Sequence, residues 1–331
     1  MLCFPVVVED ARPIRLPGGA RPVYEDGRPS RTRSGSVLQS VRPKKRIRLM
    51  TTIQALVIGA TQGLTELAPI SSLGHGVILP ALFGWGEIEK DPSYLPFMVS
   101  LHLGTTLALL LYFHQEWREL LTGFFSFEKA RTDPETRDAR HVFILLLIGT
   151  IPAGLIGLLL EKKLRHLFSA PLIAVVFLAV NGFILILAEF LKKRSEGEGK
   201  IELADMAYSR GFFIGIFQAV ALLPGISRSG MTMIGGLLGR LGHEEAARFS
   251  FLLSTPIIGA AGVLEVPKLI RYGSPQAMEM ALIGGTMAFL MAWITTFLLM
   301  RYFRHFEANK ALAPFGIYCI LAGGVSWLLL R

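Results

Sequence analysis

The chain has 331 residues, 52% hydrophobic and 18% charged, with a mean hydropathy of +0.49; soluble domains average roughly a quarter charged residues. Its formal charge of +9 would suit nucleic acid, but residues 1–50 hold 11 Lys and Arg against 4 Asp and Glu, and the rest holds 23 against 21. The nearly neutral body argues against a nucleic-acid partner, and two cysteines, Cys3 and Cys319, give no disulfide framework or Cys-rich metal site.

Residues 1–50 are rich in Arg, Pro and Gly, lack helical periodicity, and contain no apolar run of signal-peptide length. They are expected to form a disordered basic tail, or to be an over-extended start if translation begins at Met50. Thr51-Thr52-Ile53-Gln54 then opens a membrane domain over 51–331 with a cap-like sequence.

Apolar segments follow at roughly 51–83, 97–114, 141–160, 171–191, 207–223, 228–240, 247–266, 279–302 and 312–330. Several approach the ~20 residues needed to cross a bilayer. Two are interrupted: one around 62–80 by Pro69, Gly74 and Pro80, the other around 218–236 by Pro224, Gly225 and Gly230. Broken helices survive at membrane depth where protein or a wet cavity satisfies the freed backbone groups, so both breaks are candidate site walls. Loops near 115–140 and 192–206 carry nine Lys and Arg, against four near 84–96 and 161–170, which puts the first pair in the cytoplasm.

The first break reads Gln62-Gly63-Leu64-Thr65-Glu66, then Leu67-Ala68-Pro69-Ile70-Ser71-Ser72-Leu73-Gly74-His75. A carboxylate in hydrocarbon needs a partner or water, and Gln62 and Glu66 share a helical face. Pro69 stops that helix, and Ser71 and Ser72 can cap the next and aim its N–H groups at an anion. A plainer reading makes the serines caps on a kinked helix, with Glu66 and His75 at the membrane interface. The second break, Pro224-Gly225-Ile226-Ser227-Arg228-Ser229-Gly230, sets the planar fork of an arginine among hydroxyl donors and glycines, as a phosphate cradle requires. Its plainer reading is a loop touching lipid headgroups. Together the breaks supply a base or nucleophile, an acid and a phosphate clamp, a set suited to phosphoryl transfer to water.

These two runs resemble the two signatures of undecaprenyl-diphosphatases of the bacitracin-resistance type, and Phe249-Ser250-Phe251-Leu252-Leu253-Ser254-Thr255-Pro256 is similar to the family's segment after the second. The likeness runs in order from about Thr51 to the C-terminus. It implies an all-α polytopic integral membrane protein with about six spanning helices and two re-entrant helix-loop-helix segments in an inverted repeat. It further implies hydrolysis of a polyprenyl diphosphate lipid at the outer face of the bacterial cytoplasmic membrane, a divalent cation (Mg or Ca) bound with the diphosphate, and allows a homodimer. By position it makes Glu66, Ser72, His75 and Arg228 the catalytic candidates, with Gln62, Ser71, Ser227, Ser229 and Gly230 binding substrate. Gln62 stands where many members have Glu, and an amide cannot act as a base. Either water or Ser72 can be the nucleophile on this pattern.

His102, on an apolar helix, is second-tier; Glu189, Lys192, Lys193 and Arg194 read as interface anchors; His243, Glu244 and Glu245 read as solvated. The rival function is a transporter or flippase of a lipid phosphate, which also uses paired broken helices but needs no nucleophile and base.

Overall fold

The structure, a computed structural model, describes residues 50–331 apart from 87, 89–93, 169, 195–199, 273 and 307–310; the expected tail therefore lies, but for Met50, outside the described residues. Every regular element among the described residues is helical. In order they are α1 (Thr52–Thr65), α2 (Ser72–Leu82), α3 (Tyr94–Tyr112), α4 (His114–Phe125), α5 (Lys129–Thr132) and α6 (Pro134–Phe168). There follow α7 (Pro171–Arg194), α8 (Tyr208–Val220), α9 (Arg228–Leu238), α10 (His243–Tyr272), α11 (Pro275–His305) and α12 (Ala313–Leu330).

Local chemistry explains where these helices begin. Thr51 and Gln54 form a capping box at α1: the Thr51 hydroxyl accepts from the Gln54 N–H at 3.3 Å, and the Gln54 side chain accepts from the Thr51 N–H at 2.9 Å. Ser71 and Ser227 cap α2 and α9, each accepting at 3.1 Å from an N–H three residues on, Gly74 and Gly230. Ser274 caps α11, and Pro275 fills its first position, where a missing N–H is harmless.

Four helices, over Pro134–Leu160, Pro171–Lys192, Pro275–His305 and Ala313–Leu330, are each long and apolar enough to cross a membrane. A fifth crossing is available from α3 with α4, bent by 81° between them. With 30 residues, α10 spans about 45 Å and is long enough for a sixth. The surface matches lipid as solvent: Leu159, Leu282 and Leu328 are each more than two-thirds exposed. Helices approach closely where small residues meet: α1 crosses α11 with Gly59 against the Gly284 carbonyl, and a Cβ at Gly59 would collide with it.

The short helices come as two matched pairs, 14 and 11 residues in α1 and α2, 13 and 11 in α8 and α9. Their sequences repeat at one constant spacing: Gly59 with Gly215, Gln62 with Gln218, Ile70 with Ile226, Ser71 with Ser227, and Gly74 with Gly230. The linkers between the members of each pair meet, joined by hydrogen bonds from Ser229 to the Ala68 carbonyl and from Arg228 to Glu66.

Two polar groups depart from their sequence readings: Glu189, read as an interface anchor, is buried, and so is its partner His243. His243 is not solvated but buried: its Nε2 lies 2.8 Å from Glu189 Oε1, and its Nδ1 lies 2.9 Å from Lys192 Nζ. Glu189 also accepts from the Leu312 N–H at 2.6 Å, so this carboxylate ties the ends of α7, α10 and α12 together.

Candidate functional site

The site forms where the two breaks touch, and it is assembled from helix ends. Glu66 sits one residue past the end of α1, its backbone N–H still bonded to the Gln62 carbonyl, so its side chain projects beyond the helix. Ser72 and Arg228 are the first residues of α2 and α9. Ser71 reaches its capping position at a φ of 68°, a backbone conformation that turns the chain sharply into α2. Gly225 has a φ of 96°, and a Cβ there would strike the Ala174 carbonyl on α7, so the second linker needs glycine.

Glu66 is the hub. Its Oε1 accepts from Arg228 Nη2 at 2.8 Å; its Oε2 accepts from the Ser72 hydroxyl at 2.5 Å and from Gln62 Nε2 at 2.8 Å. The Arg228 and Glu66 side chains are only 7% and 2% exposed. Charges so far out of water persist only when paired and hydrogen-bonded, and these are both. Arg228 also donates through Nη1 to the Ser254 hydroxyl of α10, whose own proton goes to the Ser250 carbonyl at 2.9 Å. Its Nε–H is buried without a partner.

The linkers are pinned to each other by polar bridges. Asn181 of α7 donates to the Pro69 carbonyl at 3.0 Å and accepts from the Ser227 N–H at 2.9 Å, holding both tips with one side chain. Ser229 donates to the Ala68 carbonyl at 3.0 Å, and Ser227 and Ser229 share a hydroxyl contact at 3.0 Å. A cavity of about 20 Å³ remains between the tips, lined by Glu66, Ser71, Ser72, Ser227 and Arg228 with Leu73, Ala221 and Ile226. That suffices for about one water.

The structure thus joins Gln62, Glu66, Ser72 and Arg228 directly, with Ser71 and Ser227 on the same cavity. Ser229 and Gly230 are occupied by structural hydrogen bonds. His75 faces elsewhere: its Nδ1 lies 2.8 Å from the Ser71 carbonyl and its Nε2 2.8 Å from the Tyr318 hydroxyl of α12, with the two rings stacked at 5.8 Å. Sequence reasoning missed Asn181, Ser254 and Tyr318. Asn181 had one local signal, being a lone amide within an apolar run.

No three His, Cys, Asp or Glu side chains converge as a cation site among the described residues. Glu66, the carboxylate of the cavity, is already committed to Arg228, Ser72 and Gln62. The residues present therefore do not fit a resident divalent cation held by protein ligands.

A buried ion pair where two helix breaks meet, in a chain with four or five helices long and apolar enough to cross a membrane, defines a polytopic membrane protein. The family model of bacitracin resistance protein BacA matches residues 55–325, and the chain belongs to that family. It is similar to undecaprenyl-diphosphatase 2 of Chromobacterium violaceum, 45% identical over 280 residues, covering 84% of this chain and 99% of that protein. It is also similar to the undecaprenyl-diphosphatases of Gluconacetobacter diazotrophicus, 46% identical over 86% of this chain and 98% of that protein, and Granulibacter bethesdensis, 45% identical over 86% and 99%.

Proposed function

We propose that this chain hydrolyses undecaprenyl diphosphate to undecaprenyl phosphate and inorganic phosphate. The site opens to the outer face of the bacterial cytoplasmic membrane, and the product returns to peptidoglycan and other cell-wall polymer synthesis. The observation that carries this reading is the buried Arg228 fork, with one N–H on Glu66, one on Ser254, and Nε–H unpaired. A buried unpaired donor costs about 1–3 kcal/mol, and a phosphate oxygen in the cavity is the acceptor that would recover it.

The chemistry follows from Ser72, the Glu66 carboxylate and Arg228. The terminal phosphate lies between the N-termini of α2 and α9, against Arg228. Glu66 Oε2 takes the proton of Ser72 as the hydroxyl oxygen attacks the terminal phosphorus; the bridging P–O bond breaks and its electron pair leaves on the lipid phosphate. Water then gives a proton to Glu66 as its oxygen attacks the phosphoserine phosphorus; the bond from phosphorus to Ser72 Oγ breaks, a proton returns from Glu66 to Oγ, and inorganic phosphate departs. A second reading has a water held in the 20 Å³ cavity attack directly, with Ser72 and Glu66 orienting it. His75 holds the Ser71 carbonyl against Tyr318 and so fixes the first turn of α2 in either case.

The cavity is too small for a diphosphate, so substrate binding must part the two tips and draw Arg228 off Glu66. A divalent cation, on this reading, arrives with the diphosphate, whose charge it neutralises.

The test is phosphate release from undecaprenyl diphosphate by detergent-purified protein, with and without magnesium or calcium, for wild type, Glu66→Ala and Arg228→Ala. Release by wild type alone supports the reading. No release from folded wild type would leave movement of a lipid phosphate across the bilayer, which paired helix breaks also suit.

A further inference from the structure

The phosphatase reading leaves one proton without a destination. Whichever hydroxyl attacks, its proton goes first to Glu66, whose other oxygen is ion-paired with Arg228 at 2.8 Å. The incoming phosphate draws Arg228 away, and the pair re-forms after turnover only if the carboxylate has given that proton up. Arg228 cannot release one or take one up, and the amide of Gln62 cannot accept one.

His102, on the third turn of α3, has the features of the missing acceptor. Its Nδ1 lies 2.8 Å from the Met98 carbonyl oxygen, which can only accept, so Nδ1 carries a hydrogen. In the neutral ring Nε2 is then a bare lone pair. That atom is buried without a hydrogen-bond partner, on a side chain 2% exposed, and it lies 3.7 Å from Glu66 Oε2, the oxygen that faces Ser72. A histidine that served packing alone would have no need to aim an unsatisfied nitrogen at the hub of a buried ion pair. Thr105 and Thr106 donate their hydroxyls to the His102 backbone carbonyl at 2.8 and 2.9 Å.

We propose that His102 is the proton-holding partner of Glu66: it acts through that carboxylate as a positioning and relay residue, while the amide of Gln62 steadies the same oxygen. This rests on the phosphatase reading above. The attacking O–H bond breaks and its proton passes to Glu66 Oε2 and on to His102 Nε2. The new P–O bond forms while the bridging P–O bond breaks, its electron pair leaving on the lipid phosphate. The proton later returns through Glu66 to an oxygen of a departing phosphate. A 3.7 Å separation closes to hydrogen-bond length by a small rotation of the carboxylate once Ser72 has given up its proton, and such bonds are commonly long before substrate binds.

The charged groups that bear on the ring are Glu66, from the α1–α2 linker, and Arg228, from the start of α9 beyond it. From α1 there is none, since Thr52–Thr65 carries no charged residue. Packed against α3 as well, α10 and α11 contribute no ion pair to His102 among the described residues.

The experiment compares phosphate release from undecaprenyl diphosphate across pH for wild type, His102→Asn and the double variant Gln62→Glu/His102→Asn, with thermal unfolding as a check on folding. The relay predicts a wild-type rate that rises with pH as the ring becomes neutral. In His102→Asn, kcat falls on the order of 100-fold, the usual range for a lost acid–base group, KM changes by less than about threefold, and the acid limb of the kcat profile disappears. A second carboxylate in Gln62→Glu/His102→Asn restores about tenfold or more of kcat by offering the proton another acceptor. A folded His102→Asn that keeps wild-type kcat, or loses kcat with its acid limb intact, overturns the relay while leaving the phosphatase reading standing. A wild-type protein with no phosphate release removes the phosphatase reading and the relay with it.

Discussion

Arg228 and Glu66 form a buried ion pair whose removal should read very differently by halves and as a whole. Their side chains are 7% and 2% exposed and meet at 2.8 Å, so neither charge has water to fall back on. Glu66→Gln or Arg228→Met alone leaves one buried charge uncompensated, which destabilises by about 3–5 kcal/mol. Taking the scale of soluble domains, where each kcal/mol moves Tm by roughly 2–4 °C, each single variant should unfold on the order of 10 °C lower. The double variant Glu66→Gln/Arg228→Met has no charge left to strand, and should lie within about 1–2 kcal/mol of wild type. Thermal unfolding in one detergent gives all four corners of this cycle. Phosphate release, by contrast, should fall at least about 100-fold in all three variants, because the double one regains stability but not the clamp. Single variants that unfold within 2 °C of wild type, with additive losses in the double, would refute the buried pair. Undiminished release by Arg228→Met would refute its phosphate role.

Ser72→Ala separates the two nucleophiles: if Ser72 attacks, release falls by about 1,000-fold or more, whereas a directly attacking water leaves a loss of tenfold or so, read as initial rates. Gly225→Ala should lower Tm and yield, since a φ of 96° costs a side chain about 1–2 kcal/mol before the collision with Ala174 is counted; Gly259→Ala, where a Cβ meets nothing, should leave Tm unchanged or slightly raised. At the start of α6, the Thr136 hydroxyl bonds Asp133 and holds its carboxyl below the usual carboxylate range. A depressed folded-state pKa adds stability above the unfolded value of about 4 that is lost as pH falls through the folded value. Wild type should therefore lose Tm more steeply than Asp133→Asn on acidification toward pH 3, followed by unfolding scans.

The sequence displays this fold because membrane proteins write their architecture in local runs: long apolar segments, two breaks with prolines and glycines, and serine caps. The i, i+4 spacing of Gln62 and Glu66 becomes a 2.8 Å hydrogen bond, and the capping serines cap where their positions say. What stayed hidden is long-range. Asn181 joins Pro69 to Ser227, and Ser254 reaches Arg228 from the next helix, across separations that no periodicity encodes. His75 lies within one turn of Ser72 in sequence, yet its ring bonds the Ser71 carbonyl and Tyr318, away from Glu66. His243 follows a glycine and precedes two glutamates, a solvated pattern by composition, and is buried because Glu189 on α7 lies opposite.

The repeat explains why a resting site of this kind is stable at all. Aligning the halves sets Gln62 on Gln218, Ser71 on Ser227 and Gly74 on Gly230, but it sets Glu66 on Leu222 and Ser72 on Arg228. Two glutamates at the meeting tips would repel, and two arginines likewise, in a setting where water cannot screen them. With the acid from one half and the cation from the other, the tip is neutral overall and closed around a single-water cavity. The equivalent glutamine confirms the division of labour: Gln218 donates to the Gly149 carbonyl at 3.0 Å with no acid to steady, while Gln62 donates to Glu66. On the proposed reading, an incoming diphosphate competes with Glu66 for Arg228, and the carboxylate it displaces is left facing the Ser72 hydroxyl. Substrate binding and the freeing of the base are thereby one event.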